Sequence, residues 1–411
     1  MAAFPKGFLL GAATAAHQVE GGNIHSDYWV MENLPHSMFT EPSSDAVDHY
    51  NRYEEDIKLL ADAGLNAYRF SIEWARIQPK PGEWANEEIE HYRKVLECCR
   101  ANGVVPIVTM HHFSSPKWLI SQGGWESSET VTLFAAYCER VVQALGGLMG
   151  YICTINEANM GLQLASLMRD MKRFRPSARS ETGDVQVGVN ISDSGRIALS
   201  MQEAGEAFGC DSRGINTFLS LRTPEGDKLI MRAHEAARDA MKAVCPHLKV
   251  GVTLSLHDLQ ALAGGEEAAA KEWDEEFSHY LYAIKNDDFL GVQCYTRKRF
   301  NAVGAIGPEE GANRTQMGYE DYPLAVANVV RAVSRVFTGD IIITENGIAT
   351  SDDERRVMFI KEALAGVQSC LDDGLNVKGY MYWSLLDNFE WQLGFSKTFG
   401  LITVDRVTQK R

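Results

Sequence analysis

Apolar, β-branched runs recur along the chain, and most are separated by stretches with the 3.6-residue period of an amphipathic helix. The runs fall at 8–16, 66–74, 104–113, 150–157, 249–256, 289–295, 340–346 and 377–385. Near-continuous Ile, Val and Leu without alternation is the pattern of parallel strands covered on both faces. Between them, residues 50–63 place Ile57, Leu60 and Ala61 on one stripe and Glu54, Glu55 and Asp56 outside it. Residues 132–145 repeat Leu133, Tyr137 and Val141 at four-residue spacing, and 228–244 align Leu229, Ala233, Ala237, Ala240 and Val244. This alternation predicts an α/β chain folded as a single (β/α)8 barrel over residues 1–411, with extended βα loops, rather than two doubly wound sheets. No Pro- or Ser-rich linker, internal repeat or low-complexity tract divides it. Residues 167–223, between the fourth and fifth strands, are too many for a loop and predict an excursion with some helix of its own. Turn-rich residues 43–45 and 304–313 read as surface loops, and acidic 352–354 as the solvated start of a helix.

In such barrels the site lies at the C-terminal ends of the strands. Those ends carry Gln18, Arg69, His112, Asn156, Glu157, Tyr295, Glu345 and Trp383. Polar and aromatic residues at nearly every strand end suit a packed scaffold poorly and a polar ligand well. Two of them terminate apolar runs abruptly: Glu157 after Ile152-Cys153-Thr154-Ile155-Asn156, and Glu345 after Ile341-Ile342-Ile343-Thr344. A carboxylate at the rim of a core needs a partner or a task. Two on different strands fit a pair facing one substrate atom, as glycosidic bond cleavage requires. Taken singly, each reads equally well as a salt-bridged rim residue, and Arg69 could serve to neutralise Glu73. His111 and His112 are adjacent on a strand and face opposite ways, which leaves His112 as the ligand-facing candidate and argues against a metal pair.

Composition narrows the partners. The 411 residues carry a net charge of −15 with no clustered Lys/Arg stripe, which argues against a polyanionic partner such as nucleic acid. None of the eight cysteines forms a Cys-x-x-Cys pair, and Cys153 and Cys294 fall inside strand-like runs. Buried free thiols in a reducing compartment are expected. Met1-Ala2-Ala3-Phe4-Pro5 lacks the charged and apolar regions of a signal peptide, and no apolar stretch reaches membrane-spanning length. A cytoplasmic protein without a membrane partner is expected. Nothing in the pattern demands a metal or organic cofactor, and oligomer formation stays open.

The motifs taken together resemble glycoside hydrolase family 1, the β-glucosidase-like retaining enzymes, over nearly the whole chain. The strings are Gly11-Ala-Ala-Thr-Ala-Ala-His17-Gln18-Val-Glu20-Gly21, Tyr68-Arg69-Phe70-Ser71-Ile72-Glu73-Trp74, His112-Phe113, Gly123-Gly124-Trp125, Thr154-Ile155-Asn156-Glu157, Thr344-Glu345-Asn346-Gly347 and Tyr382-Trp383-Ser384-Leu385-Leu386-Asp387-Asn388-Phe389-Glu390-Trp391. The resemblance implies Glu345 as nucleophile and Glu157 as general acid/base. It implies Gln18, His112, Asn156, Glu390 and Trp391 as holders of the sugar hydroxyls, Trp383 as the floor under the ring, and Arg69 and Tyr295 as partners of the nucleophile. A retaining route needs the two carboxyl groups roughly 5–5.5 Å apart.

Four positions depart from the family pattern. Ala158 stands where Pro is common, Gln293 where Asn precedes the active-site Tyr (with Cys294 in place of an aromatic), and Tyr319 where a Trp often lines the aglycone entrance. Relatives also continue into a last barrel helix, which is expected to be missing or truncated before Arg411. The function implied is hydrolysis of terminal β-glucosides. The alternatives are a 6-phospho-β-glycosidase, disfavoured by the retained Glu390-Trp391 pair, and a catalytically inactive sugar-binding barrel, disfavoured by the presence of both carboxylates. A thioglucosidase, which lacks the acid/base glutamate, fits less well.

Overall fold

The computed structural model describes residues 4–173, 186–189 and 194–411. Eight parallel strands close a barrel: β1 (Leu9–Ala13), β2 (Ala67–Ser71), β3 (Val105–His111), β4 (Tyr151–Ile155), β5 (Lys249–Ser255), β6 (Phe289–Gln293), β7 (Asp340–Asn346) and β8 (Val377–Trp383). Closure comes from β8 pairing with β1, which sets Ala13 opposite Trp383. Every predicted strand is present, yet only 340–346 keeps both ends. In the others the apolar run outlasts the hydrogen-bonded ladder, because the rim of the barrel is buried too. Residues Ala16–Val19 form a helical turn, so Gln18 stands on that turn beyond β1 and not at a strand end. Trp74 opens the short helix Trp74–Ile77, whose cap Glu73 accepts the Ala75 N–H at 3.2 Å.

Helices His49–Asp62, Asn86–Ala101, Glu129–Leu145, Pro224–Val244, Ala325–Ser334 and Asp353–Asp372 lie along the chain between strands. Pro224–Val244 begins before its apolar stripe does, because Thr223 Oγ1 accepts the Gly226 N–H at 2.9 Å and Pro224 fits the first turn. Asp352 caps the acidic helix start, its Oδ1 accepting the Arg355 N–H at 3.2 Å. Residues 304–313 are not wholly loop: Gly304–Ile306 pairs antiparallel with Arg297–Asn301, which in turn runs beside Asp258–Ala261. These short, half-polar strands lack the apolar run by which the barrel strands announce themselves.

The excursion contains the helix Ser194–Phe208, and the helix Met160–Arg173 leads into it. Its portions at 174–185 and 190–193 lie outside the described residues. Among the described residues no α-helix follows β8. Residues 384–402 double back instead, with Leu401 N–H donating to Ser384 O at 2.9 Å and Ile402 N–H to Leu385 O at 3.0 Å. Arg411 then holds both oxygens of buried Asp56 at 2.5 Å, tying this tail to the first barrel helix. All eight cysteines are free. No described helix is long and apolar enough to cross a membrane.

Candidate active site

Glu345 owes its position to an irregularity in β7. Ile343 pairs with Val292 but Glu345 pairs with Gln293, so two residues of β7 oppose one of β6. The extra residue bends the strand end, as bulges do beside active sites. Glu345 is buried between two partners: Arg69 Nη1 donates to Oε1 at 2.5 Å and the Tyr295 hydroxyl to Oε2 at 2.6 Å. Arg69 is fully buried and also donates to Asn156 Oδ1 at 2.6 Å, Thr109 Oγ1 at 3.1 Å and Thr344 O at 3.3 Å. It therefore does not serve Glu73, which accepts from the Ser114 hydroxyl at 2.6 Å. Burial pushes the Glu345 carboxyl up, while Arg69 and Tyr295 pull it back towards the ionised form.

Glu157 lies just past β4 with φ +43°, a left-handed backbone that costs a non-glycine residue about 1–3 kcal/mol. Thr253 on the neighbouring β5 holds that turn: its Oγ1 accepts the Glu157 N–H at 2.9 Å and its carbonyl the Ala158 N–H at 3.0 Å. A proline at 158 would have no N–H to give, so Ala158 adds a backbone tie here. Phe113 (φ +67°) and Trp391 (φ +48°) share this conformation, and their ring centroids lie 5.2 Å apart. Glu157 is pushed well above the usual carboxylate range, first by burial and then by the charge of Glu345. The Ser255 hydroxyl and Arg69 oppose that shift, and Glu390 adds to it. The pair is thus asymmetric, one carboxylate gripped by a cation and a phenol, the other biased to keep its proton.

Asn156 is oriented by its neighbours. Its Oδ1 accepts from Arg69 and from Gln293 Nε2 at 2.8 Å, which leaves Nδ2 unpaired among the described residues. The longer amide at 293 therefore reaches Asn156. Gln18 Nε2 donates to Phe389 O at 2.7 Å and lies 3.3 Å from Asn388 Oδ1 and 3.4 Å from Glu390 Oε2. His112 lies over Trp383 and Trp391, with ring centroids 5.7 and 6.0 Å apart, while His111 turns away to Trp125 and Phe218. Buried atoms Gln18 Oε1, His112 Nδ1, Asn156 Nδ2 and Glu157 Oε1 have no partner among the described residues. Leaving such groups unpaired costs about 1–3 kcal/mol each, which a hydroxyl-rich ligand would relieve.

Glu390 is raised from its ordinary 4.5 to about 8, by burial first and then by Glu345, against the pull of Gln18. This carboxyl holds a proton in the folded protein through a range where the unfolded chain has lost it. Stability is therefore withdrawn as pH rises from about 5 to about 8, and no further above that. Glu390→Gln removes the titration. Its melting temperature relative to the native chain is expected to climb between pH 5 and 8 and to level off beyond, in paired thermal scans. A flat difference would contradict the shift.

All ten predicted residues are thus buried around one rim. Sequence reasoning missed Thr253, Ser255 and Gln186, since a lone Thr, Ser or Gln in a strand or loop carries no recognisable pattern. Tyr319 is buried with its ring 6.3 Å from that of Tyr295.

The model of glycosyl hydrolase family 1 matches residues 1–182 and 276–411, well over half of the chain. The chain belongs to glycosyl hydrolase family 1. It is a glycoside hydrolase built on the barrel that the family's solved structures share. The crystal structure of a β-glycosidase, BGL167, is 44% identical, covers 99% of this chain and 94% of its own, and superposes with a TM-score of 0.89. The apo structure of a β-glucosidase, 1317, is 39% identical with coverage of 98% and 95% and a TM-score of 0.87. β-Glucosidase A of Acetivibrio thermocellus is 29% identical over 99% of this chain and 95% of its own length.

Proposed function

We propose that the protein is a retaining β-glucosidase, hydrolysing terminal non-reducing β-D-glucosyl residues by double displacement. The observation that carries this reading is the asymmetry of the buried pair: Glu345 held towards its anion by Arg69 and Tyr295, and Glu157 held towards its acid by burial and by Glu345. In the first step an oxygen of Glu345 bonds to the anomeric carbon as the glycosidic C–O bond breaks. Glu157 gives its proton to the departing oxygen. Ester formation removes the charge of Glu345, so Glu157, now ionised, no longer feels it and settles as a base. It takes a proton from water as the water oxygen attacks the anomeric carbon. The ester C–O bond breaks, and Glu345 leaves as a carboxylate.

Asn156 Nδ2 is suited to the sugar 2-hydroxyl, where contacts strengthen in the transition state. Trp383 supplies a face for the ring, and Gln18, His112, Glu390 and Trp391 supply polar groups for its far edge. The retained Glu390 and Trp391 support an unphosphorylated sugar. The names of the related β-glucosidases support glucose as that sugar. Eight free thiols and a net charge of −15 support a cytoplasmic enzyme acting on small β-glucosides or short oligosaccharides. The test is the anomer released first from an aryl β-glucoside, followed by proton NMR. β-Glucose is expected; α-glucose as the first product would overturn double displacement, and absence of turnover would overturn the activity.

A further inference from the structure

The excursion between β4 and β5 sends one short segment, residues 186–189, back into the barrel mouth. Gln186 is buried there, and its amide bridges two strand ends. Its Oε1 accepts the Tyr295 backbone N–H at 2.6 Å, and its Nε2 donates to Ser255 Oγ at 3.0 Å and Leu256 O at 3.3 Å. The orientation of this amide is fixed by its partners, since a backbone N–H needs the oxygen and a carbonyl needs the nitrogen. Tyr295 lies beyond the last ladder residue of β6, Gln293. Gln186 therefore anchors backbone that the sheet itself leaves unpaired.

Both residues it holds face a carboxylate. The Tyr295 hydroxyl donates to Glu345 at 2.6 Å, and the Ser255 hydroxyl favours the ionised form of Glu157. By accepting the Gln186 N–H, Ser255 Oγ is left with its own proton to direct elsewhere. Two residues on, Gly188 lies so close to Glu390 that an added Cβ would stand 2.6 Å from the Glu390 carbonyl. The Gly188 carbonyl also accepts the Gln392 N–H at 3.1 Å. Four residues thus touch the supports of both carboxyl groups and the backbone of the Glu390–Trp391 pair.

We infer that Gln186 is a positioning residue of the active site, setting the Tyr295 and Ser255 supports of Glu345 and Glu157 in register with each other. The inference rests on the proposed roles of those two glutamates. Gln186→Met keeps the volume of the side chain and removes all three hydrogen bonds. Small displacements of reacting groups are expensive in rate, so kcat on an aryl β-glucoside is expected to fall about ten-fold or more with KM changed less than about three-fold. Gln186→Glu keeps the acceptor for Tyr295 and loses the donor to Ser255, and is expected to fall between Gln186→Met and the native chain in amide protection at Tyr295 by hydrogen exchange.

A purely structural role would leave independent losses that multiply. Acting through Tyr295 predicts instead that Gln186→Met combined with Tyr295→Phe loses less than the product of the single losses. The inference is overturned if Gln186→Met stays within two-fold of native kcat, if the double variant shows multiplied losses, or if Tyr295 amide protection is unchanged. Lack of turnover by the native chain would overturn the underlying function, while the hydrogen-exchange result would still judge the anchoring by itself.

Discussion

Glu345→Gly is expected to slow β-glucoside hydrolysis by at least ~10⁴-fold, the scale of losing a covalent nucleophile. The melting temperature is expected to drop as well, because removing the carboxylate leaves the buried Arg69 cation without its ion-pair partner. The deletion leaves Arg69 and the Tyr295 hydroxyl facing a small space with no carboxylate between them. α-Glucosyl fluoride places its leaving group on the face that Glu345 would occupy, so it enters as a substitute for the glycosyl-enzyme. Glu157 is still present to activate an acceptor. The variant is therefore expected to transfer glucose from that fluoride while leaving β-glucosides untouched, and added formate should restore part of the hydrolysis by occupying the carboxylate's place. Unchanged turnover of a nitrophenyl β-glucoside would falsify the assignment.

Removal of the other carboxyl has a different signature. On the proposed acid role, Glu157→Ala abolishes proton delivery to the departing oxygen, so the expected penalty scales with how badly that oxygen needs it. Alkyl glucosides and disaccharides are expected to lose ~10²–10⁴-fold, the usual worth of general acid–base help. Dinitrophenyl glucosides, whose phenolate leaves unaided, should form the glycosyl-enzyme at nearly the native rate and then stall, because water lacks its base. The alkaline fall of kcat/KM should vanish as well. On the proposed acid role, that limb follows loss of the Glu157 proton, which burial and the Glu345 charge delay to higher pH. Equal losses across leaving groups, or an unchanged alkaline limb, would remove Glu157 from the acid role.

What could be read from the chain depended on how each feature is encoded. The barrel strands declared themselves because burial on both faces writes a continuous β-branched run, as in Ile341-Ile342-Ile343. Their ends did not, since the apolar signal continues into the rim where Ala16–Val19 and Trp74–Ile77 already turn helical. The small sheet of Asp258–Ala261, Arg297–Asn301 and Gly304–Ile306 was invisible for the opposite reason: it lies half-buried and mixes charged residues with apolar ones. Glu157 and Glu345 stood out because a charge closing an apolar run is a local contradiction, and the fold buries both. Arg69 was ambiguous until its contacts settled on Glu345 rather than Glu73. Gln186 could not have been found, because its partners Ser255, Leu256 and Tyr295 are 69, 70 and 109 residues away along the chain.

Arg69 has one further consequence. Its guanidinium keeps its charge at any accessible pH, and among the described residues its ion-pair partner is Glu345, beside the neutral oxygens of Thr109, Thr344 and Asn156 and the Cys153 thiol. Esterification of Glu345 would remove that partner's charge and leave the cation acting on Glu157, which gives up its proton in the same step. One fixed cation would thus serve each acid in turn, and water's attack would return the charge to Glu345.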